Sequence, residues 1–486
     1  MCQPTTLGEL RTSGWVSRPV KEELRANAAR AIAAAEPLFA GVMGYENTVL
    51  PQLENAMLAG HDVVFLGERG QAKTRMIRSL VNLLDEWMPY IEGSEIFDDP
   101  YRPVSRHARD LVAEHGDDTP IAWAHRDSRY GEKLATPDTS IADLIGEVDP
   151  IKVAEGRYLS DELTLHYGLV PRTNRGIFAI NELPDLAERI QVGLLNVLEE
   201  RDIQIRGYKI RLPLDVMLVA TANPEDYTNR GRIITPLKDR FGAQIRTHYP
   251  LDVDTEMDIA AAEARPLDLA EVGGSGGAVS VTIPDFMAEI VATFSHVARA
   301  SAQVNQRSGV SVRMTVTNTE TLAANATRRA LQRGEQHVVP RVSDLDSLMS
   351  STAGKIEIES LEEGRDGKIV EAMLKAAVLE VFKSRFSSDE LSDVVAGFDE
   401  GKVVHTGDDL GSDAYMDLLA GNQALAVAAE SLVAASADAD LASSAEEGIA
   451  PAVLASAAEL VLEGLHLSKR LNKEHVGARA TYRSRT

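Results

Sequence analysis

VVFLGERGQAKT occupies residues 63–74. Its first four residues are apolar and β-prone, which predicts a buried strand. The run stops at Gly67, and helix-forming residues resume after Thr74. A strand, a glycine-containing turn and a Lys-Thr pair at a helix start predict a phosphate-binding loop. In such a loop the backbone N–H groups turn inward, and the helix N-terminus adds positive potential. Lys73 is then placed to reach the outer phosphates of a nucleotide, and Thr74 to ligate Mg²⁺. The usual pattern has a second glycine just before the lysine. Ala72 stands there instead, and Gly70 relieves the turn two residues earlier.

Two further apolar runs lie downstream. Residues 176–180, GIFAI, read as a central parallel strand buried on both faces, and they end at Asn181-Glu182. Residues 216–220 read as another and end in Thr221-Ala222-Asn223-Pro224. A helix is expected over 186–200 and a hairpin over 203–210. Strands alternating with helices imply a doubly wound α/β core. Ligands in such sheets sit at the carboxyl ends of the strands. The polar clusters at 67–74, 181–182 and 223 are therefore expected to meet at one edge.

Composition narrows the classes. The chain has 486 residues, 44% hydrophobic and 26% charged, ordinary for a globular protein of two or three domains. A formal net charge of −24 argues against gripping nucleic acid through its phosphates. A single cysteine, Cys2, allows no intramolecular disulfide and no cysteine metal site. The opening residues lack the charge and apolar pattern of a signal peptide, and no apolar run is long enough to span a membrane. A cytoplasmic location is the expectation.

The remaining stretches are read in order. Residues 1–19 form an irregular lead-in, and helices are expected over 21–36 and 46–59. Val42 and Met43, ahead of the loop, line an adenine pocket or pack in the core. A helix is expected from Lys73 to about Trp87. Residues 90–140, polar and rich in Asp, Arg and His, read as solvated loops and short helices without zinc-like spacing. After Pro250, residues 265–282 with GGSGG form a connection. Helices then dominate at 284–302, 317–332, 342–350 and 368–386. Residues 387–450 are acidic and rich in Ala and Ser. A last amphipathic helix is expected from Ala452 to Lys473, and the basic tail GARATYRSRT is expected to be disordered.

Phosphoryl transfer is achieved chiefly by positioning and charge neutralisation. Lys73 and Thr74 supply a cradle and a metal ligand. Glu182, at a strand end, suits a base or water-orienting group, the alternative being a solvated acid. Asn223 is placed to hold a water, the alternative being a turn-initiating Asn before Pro. Arg240, in PLKDRF, and Arg313, opening a helix of the second half, are candidate cations. Surface arginines are the alternative for each.

The order of these parts resembles the AAA+ ATPases, and more narrowly the magnesium-chelatase I-subunit and MoxR-like branch. The segments that carry the resemblance are GERGQAKT, GIFAINELPDL with LLNVLEERDIQIRG, VATANPEDY, TPLKDRFG and SGVSVRMTV. They lie within residues 36–385. The resemblance implies a P-loop AAA+ α/β core with a parallel sheet flanked by helices over 36–252, after a lead-in and helix at 1–35. It implies an all-helical lid domain over 253–386, followed by an acidic helical extension over 387–486. It makes Gly67, Gly70, Ala72, Lys73 and Thr74 the Walker A loop and Asn181-Glu182 the Walker B end, with Thr74 and Asn181 at the metal. Asn223 becomes sensor 1, Arg240 the arginine finger and Arg313 sensor 2. The implied cofactors are ATP and Mg²⁺, and the implied assembly is a hexameric ring acting on a partner with a von Willebrand factor A domain. Asn181 departs from the usual Asp and removes one negative charge beside the metal.

Three readings follow. The first is a partner-remodelling ATPase, the second the motor subunit of a true magnesium chelatase. The third is a scaffold gated by nucleotide with little turnover, supported by Ala72 and Asn181. A transcriptional activator acting on an alternative sigma factor shares the core, but the chain has no GAFTGA-like loop and no recognisable C-terminal helix-turn-helix.

Overall fold

In the computed structural model the chain forms two compact units, residues 1–248 and 249–486. The residues described are 3–148, 164–199, 203–205, 208–210, 212–223, 232–265, 280–305, 308–358, 365–387, 389–436, 449–476 and 479–485. The expected connection at 265–282 and the segment 224–231 after Asn223 lie largely or wholly outside them.

The first unit is built on five parallel strands: β1 (Val63–Leu66), β2 (Tyr130–Leu134), β3 (Gly176–Asn181), β4 (Val216–Ala222) and β5 (Ala243–Arg246). Their order across the sheet is β5-β1-β4-β3-β2. Register pairs Leu66 with Ala222, Ala220 with Ile180 and Leu134 with Asn181. Successive side chains alternate between two apolar cores, as a period of two requires. Phe65, Ile177, Ala179 and Val219 join the core beneath the helices Val20–Ala33, Val49–Ala59 and α1 (Lys73–Ser79). Val64, Phe178, Ile180 and Leu218 join the core beneath α2 (Glu188–Glu199). Both faces are buried, so the three central strands read as unbroken apolar runs.

Several expectations are corrected here. The lead-in contains a helix, Leu7–Thr12, capped by the Thr6 side chain. The helix expected to reach Trp87 ends at Ser79, continues as a 3₁₀ turn to Leu83 and gives way to strand Trp87–Ile91. Residues 90–140 are not mainly loops. Ile121–His125 pairs antiparallel with Trp87–Ile91, and β2 forms the edge of the main sheet. β2 carries few apolar residues, with Gly131, Glu132 and Lys133 at its centre, because the strand is only partly buried. The expected hairpin is present: Ile203–Ile205 pairs with Tyr208–Ile210.

The second unit packs long helices, Asp285–Ala300, Val312–Arg333 and Asp366–Arg385, around one apolar core that runs from Phe286 to Tyr482. The stretch 342–350 forms a 3₁₀ helix, Val342–Ser347, joined to a short α-helix, Leu348–Thr352. Helix Pro451–Leu467 is not amphipathic. It is buried on all sides, and Gly464 is needed because a Cβ there would strike the Phe382 ring. Its acids Glu459 and Glu463 are buried with partners: Ser343 N donates to Glu459 at 2.8 Å, and Lys473 Nζ and Tyr482 Oη donate to Glu463 at 2.7 and 2.6 Å. The described part of the basic tail is ordered. Arg479–Ser484 is the middle strand of an antiparallel sheet with Leu471–Val476 and Val404–Gly407. Its polar sequence hid this, because a strand can be held by backbone pairing with only Ala480 and Tyr482 facing inward. No described helix is long and apolar enough to cross a membrane.

Candidate nucleotide site at the carboxyl edge of the sheet

All five strands run in parallel, so the segments following β1, β3 and β4 leave from one edge. Hydrogen bonds stitch them together. Gly67 N donates to Ala222 O at 3.1 Å, Thr247 N to Leu66 O at 2.9 Å, and Glu182 N to Thr221 Oγ1 at 2.9 Å. Lys73 and Thr74, Asn181 and Glu182, and Asn223 therefore stand at the ends of adjacent strands, as expected. Arg240 closes the short helix α3 (Thr235–Arg240) in the same unit and is exposed. Arg313 is the second residue of Val312–Arg333 in the other unit and is also exposed.

The loop's conformation explains its residues. Gly67 cannot carry a side chain, because a Cβ would collide with Thr247 and Gln71. Gly70 has φ +73° and Ala72 φ +51°. Left-handed residues in such a turn point successive N–H groups to one side, the concavity that binds anions. Lys73 is 7% exposed, and its ammonium folds back onto the loop, donating to Gly67 O and, at 2.8 Å, to Glu68 O. Ala72 pays for the missing glycine in backbone strain, since an L-residue there costs about 1–2 kcal/mol. Ala72→Gly recovers that, less the flexibility a glycine adds to the unfolded chain. We expect a net gain of roughly 0.5–1 kcal/mol and a melting point higher by about 1–4 °C in thermal unfolding of the first unit. An unchanged or lower melting point would show that the loop bears no strain at Ala72.

Residues that the sequence did not single out hold this loop. Gln71 Oε1 accepts from Glu68 N at 3.0 Å and from Thr247 Oγ1 at 2.6 Å. The buried Tyr45 hydroxyl is shared between Gln71 O at 3.0 Å and His248 O at 2.7 Å. Val42 packs in the apolar core beside it, the plainer of its two expected roles. A cleft of about 350 Å³ opens next to the loop, lined by Gly67, Glu68, Gln71, Lys238, Arg246 and Thr247.

Asn181 has a partner of its own. Its amide Nδ2 donates to Glu132 Oε1 at 2.6 Å, and Thr221 Oγ1 lies 3.5 Å from its Oδ1. Glu132, on the edge strand β2, also accepts from Arg78 Nε at 2.9 Å and from Tyr130 Oη at 2.9 Å. Burial pushes the Glu132 carboxyl up, but the hydrogen bonds from Arg78, Tyr130 and Asn181 outweigh it and hold the group below its usual range. Among the described residues no cluster of three or more His, Cys, Asp or Glu side chains is arranged to hold a metal ion by itself.

A five-stranded parallel sheet in the order 5-1-4-3-2, with a phosphate-type loop after strand 1 and acidic and amide residues after strands 3 and 4, settles the architecture. The first unit has the fold of a P-loop AAA+ core. Sequence comparisons agree with it. A model of the sigma-54 interaction domain matches residues 155–240 of this chain. The magnesium-chelatase 38 kDa subunit of Rhodobacter capsulatus is 28% identical over 234 residues, covering 46% of this chain and 59% of that protein. The chloroplastic ChlI subunit of magnesium chelatase from Oryza sativa subsp. indica is 27% identical over 260 residues, covering 51% and 59%. The chain thus spans less than two thirds of these relatives. Among solved structures, a complex of the magnesium-chelatase subunits BchI and BchD is 20% identical, covers 69% of this chain and 98% of that one, and gives a TM-score of 0.35.

Proposed function

We propose that this chain binds and hydrolyses Mg²⁺-ATP and uses the cycle, as a ring, to remodel or activate a partner protein, in the manner of the magnesium-chelatase and MoxR-like AAA+ proteins. The observation that carries this is the junction of three strand ends, where a lysine-threonine pair, an Asn-Glu pair and a buried asparagine share one edge. The donor set fits the ligand. Inward N–H groups and an ammonium suit phosphate oxygens, and a threonine hydroxyl suits a hard divalent cation.

When bound, Mg²⁺-ATP supplies the transferable phosphoryl group and the cation that neutralises it. Lys73 would pair with the outer phosphates, and the Thr74 hydroxyl would hold the metal. Glu182 orients the attacking water and takes its proton, and Asn223 holds that water by hydrogen bonding. Arg240 acts across a subunit boundary on the charge that develops in the transition state, and Arg313 acts from the helical unit. The hexameric ring and a partner with a von Willebrand factor A domain rest on the resemblance in sequence.

A second reading, the motor subunit of a metal chelatase, is favoured by the named relatives, which are magnesium-chelatase subunits. It shares every step above and differs only in the client.

The test of the site is Lys73→Ala. Loss of a buried ammonium from a phosphate cradle is expected to weaken binding of a fluorescent ATP analogue by about 100-fold or more, ~3 kcal/mol. Wild-type affinity in the variant would remove Lys73 from the site and this reading with it.

A further inference from the structure

The charge absent at position 181 has a replacement in the structure. We propose that Glu132 provides, through the Asn181 carboxamide, the negative charge that the metal side of this site needs. The inference rests on the nucleotide-site reading and extends it to a residue of the neighbouring strand.

The geometry begins with which way Asn181 faces. Glu132 Oε1 lies 2.6 Å from the Asn181 side chain, and an ionised carboxylate only accepts. The group facing it must therefore be the NH₂, so the carbonyl oxygen of Asn181 is turned the other way, to the side of Thr221 Oγ1. Glu132 fixes the orientation that presents an oxygen, not an N–H, to the strand-end cluster. A carboxylate hydrogen-bonded to one end of an amide also polarises the other end, which strengthens that oxygen as an acceptor.

Register puts these groups on one face of the sheet. Glu132 pairs with Ala179, two residues before Asn181, so both side chains point the same way. Ala179 packs in the core covered by α1, the helix that begins at Lys73. Arg78, which bridges to Glu132 with Nε at 2.9 Å and Nη2 at 3.1 Å, lies on that helix one turn after Thr74. A chain of contacts thus runs from the helix that carries the metal-ligating threonine, through Arg78 and Glu132, to Asn181. An ordinary surface ion pair would not need donors from three residues. Glu132 is 21% exposed at its side chain and accepts from three residues. It is a positioning residue: it acts on the metal through Asn181.

The arrangement dictates an unusual pattern of variants. Glu132→Gln removes the charge and lets the Asn181 amide turn over. Asn181→Asp alone places two carboxylates in hydrogen-bonding contact, where like charges repel. The double variant, Glu132→Gln with Asn181→Asp, moves the one charge to position 181 and leaves a neutral donor opposite it. Each single change is therefore harmful, and the two together are not.

The experiment follows binding of a fluorescent ATP analogue by the full chain, at graded Mg²⁺ and in EDTA, beside thermal unfolding without metal. For Glu132→Gln we expect the Mg²⁺ concentration at half-saturation to rise about tenfold, the effect of about one charge interaction, with affinity in EDTA unchanged. Asn181→Asp should lower the metal-free melting point. The double variant should return both quantities close to wild type. A Mg²⁺ requirement unmoved by Glu132→Gln, or a double variant no better than Glu132→Gln, overturns the inference. If the wild type itself bound no nucleotide, the site reading would fall and this inference with it. Nucleotide binding with an unmoved Mg²⁺ requirement sinks the Glu132 assignment alone.

Discussion

Arg240→Ala should cut ATP turnover by about 10³-fold, ~4 kcal/mol of transition-state stabilisation, and leave nucleotide affinity within about twofold of wild type. The argument starts from α3. Leu237 is fully buried in the core beneath α2, which anchors this short helix. Arg240, three residues on, is exposed at the helix's far end. A cation held on an anchored helix at the surface is suited to a neighbour's nucleotide, and it contributes only when charge moves off the phosphoryl group. Binding and turnover should therefore separate. Mixing makes the test sharper. Subunits with Arg240→Ala keep Glu182, and subunits with Glu182→Gln keep Arg240. In the proposed ring, mixed assemblies would contain interfaces with both residues intact, so a mixture should regain part of the activity that each variant lacks alone. Wild-type turnover in Arg240→Ala would show that no arginine acts from this position.

Glu182→Gln should lower turnover by about 10²–10⁴-fold with nucleotide binding retained. The amide has the shape of the carboxyl and cannot take a proton. Glu182 has φ +55° and ψ +50°, with its N–H donating to Thr221 Oγ1. A non-glycine residue in the left-handed region costs on the order of 1–3 kcal/mol, and such strain concentrates where a side chain must be aimed. The substitution keeps that backbone, so the fold should be unaffected. Steady-state hydrolysis compared with nucleotide titration checks it. Equal rates in the variant and the wild type would transfer support to the scaffold reading, in which nucleotide is bound without useful turnover.

The sequence announced the parts of the fold that are buried on both faces. Val63–Leu66, Gly176–Asn181 and Val216–Ala222 are continuous apolar runs because helices cover both sides of the sheet centre. Tyr130–Leu134 was not legible, since an edge strand with Glu132 and Lys133 half exposed looks like a loop. Arg479–Ser484 escaped for a related reason, its pairing being carried by the backbone. At the site, spacing pointed to residues that follow strands. The contacts that hold them were out of reach. Gln71 meets Thr247 across 176 positions and Asn181 meets Glu132 across 49, and no local pattern marks either pair. Ala72 looked like a defect in a motif; the structure locates its cost in one backbone angle.

The buried helix Pro451–Leu467 bears on how the second unit is made. The helices Asp285–Ala300 and Asp366–Arg385 emerge from the ribosome well before the segment that completes their shared core. Until that segment arrives, Phe382, whose ring packs against Gly464, lacks its final covering, a state prone to aggregate. The first unit closes its sheet with residues up to Arg246 and does not wait. Expression at lower temperature, which slows aggregation of nascent chains, should therefore rescue the later half far more than the earlier one.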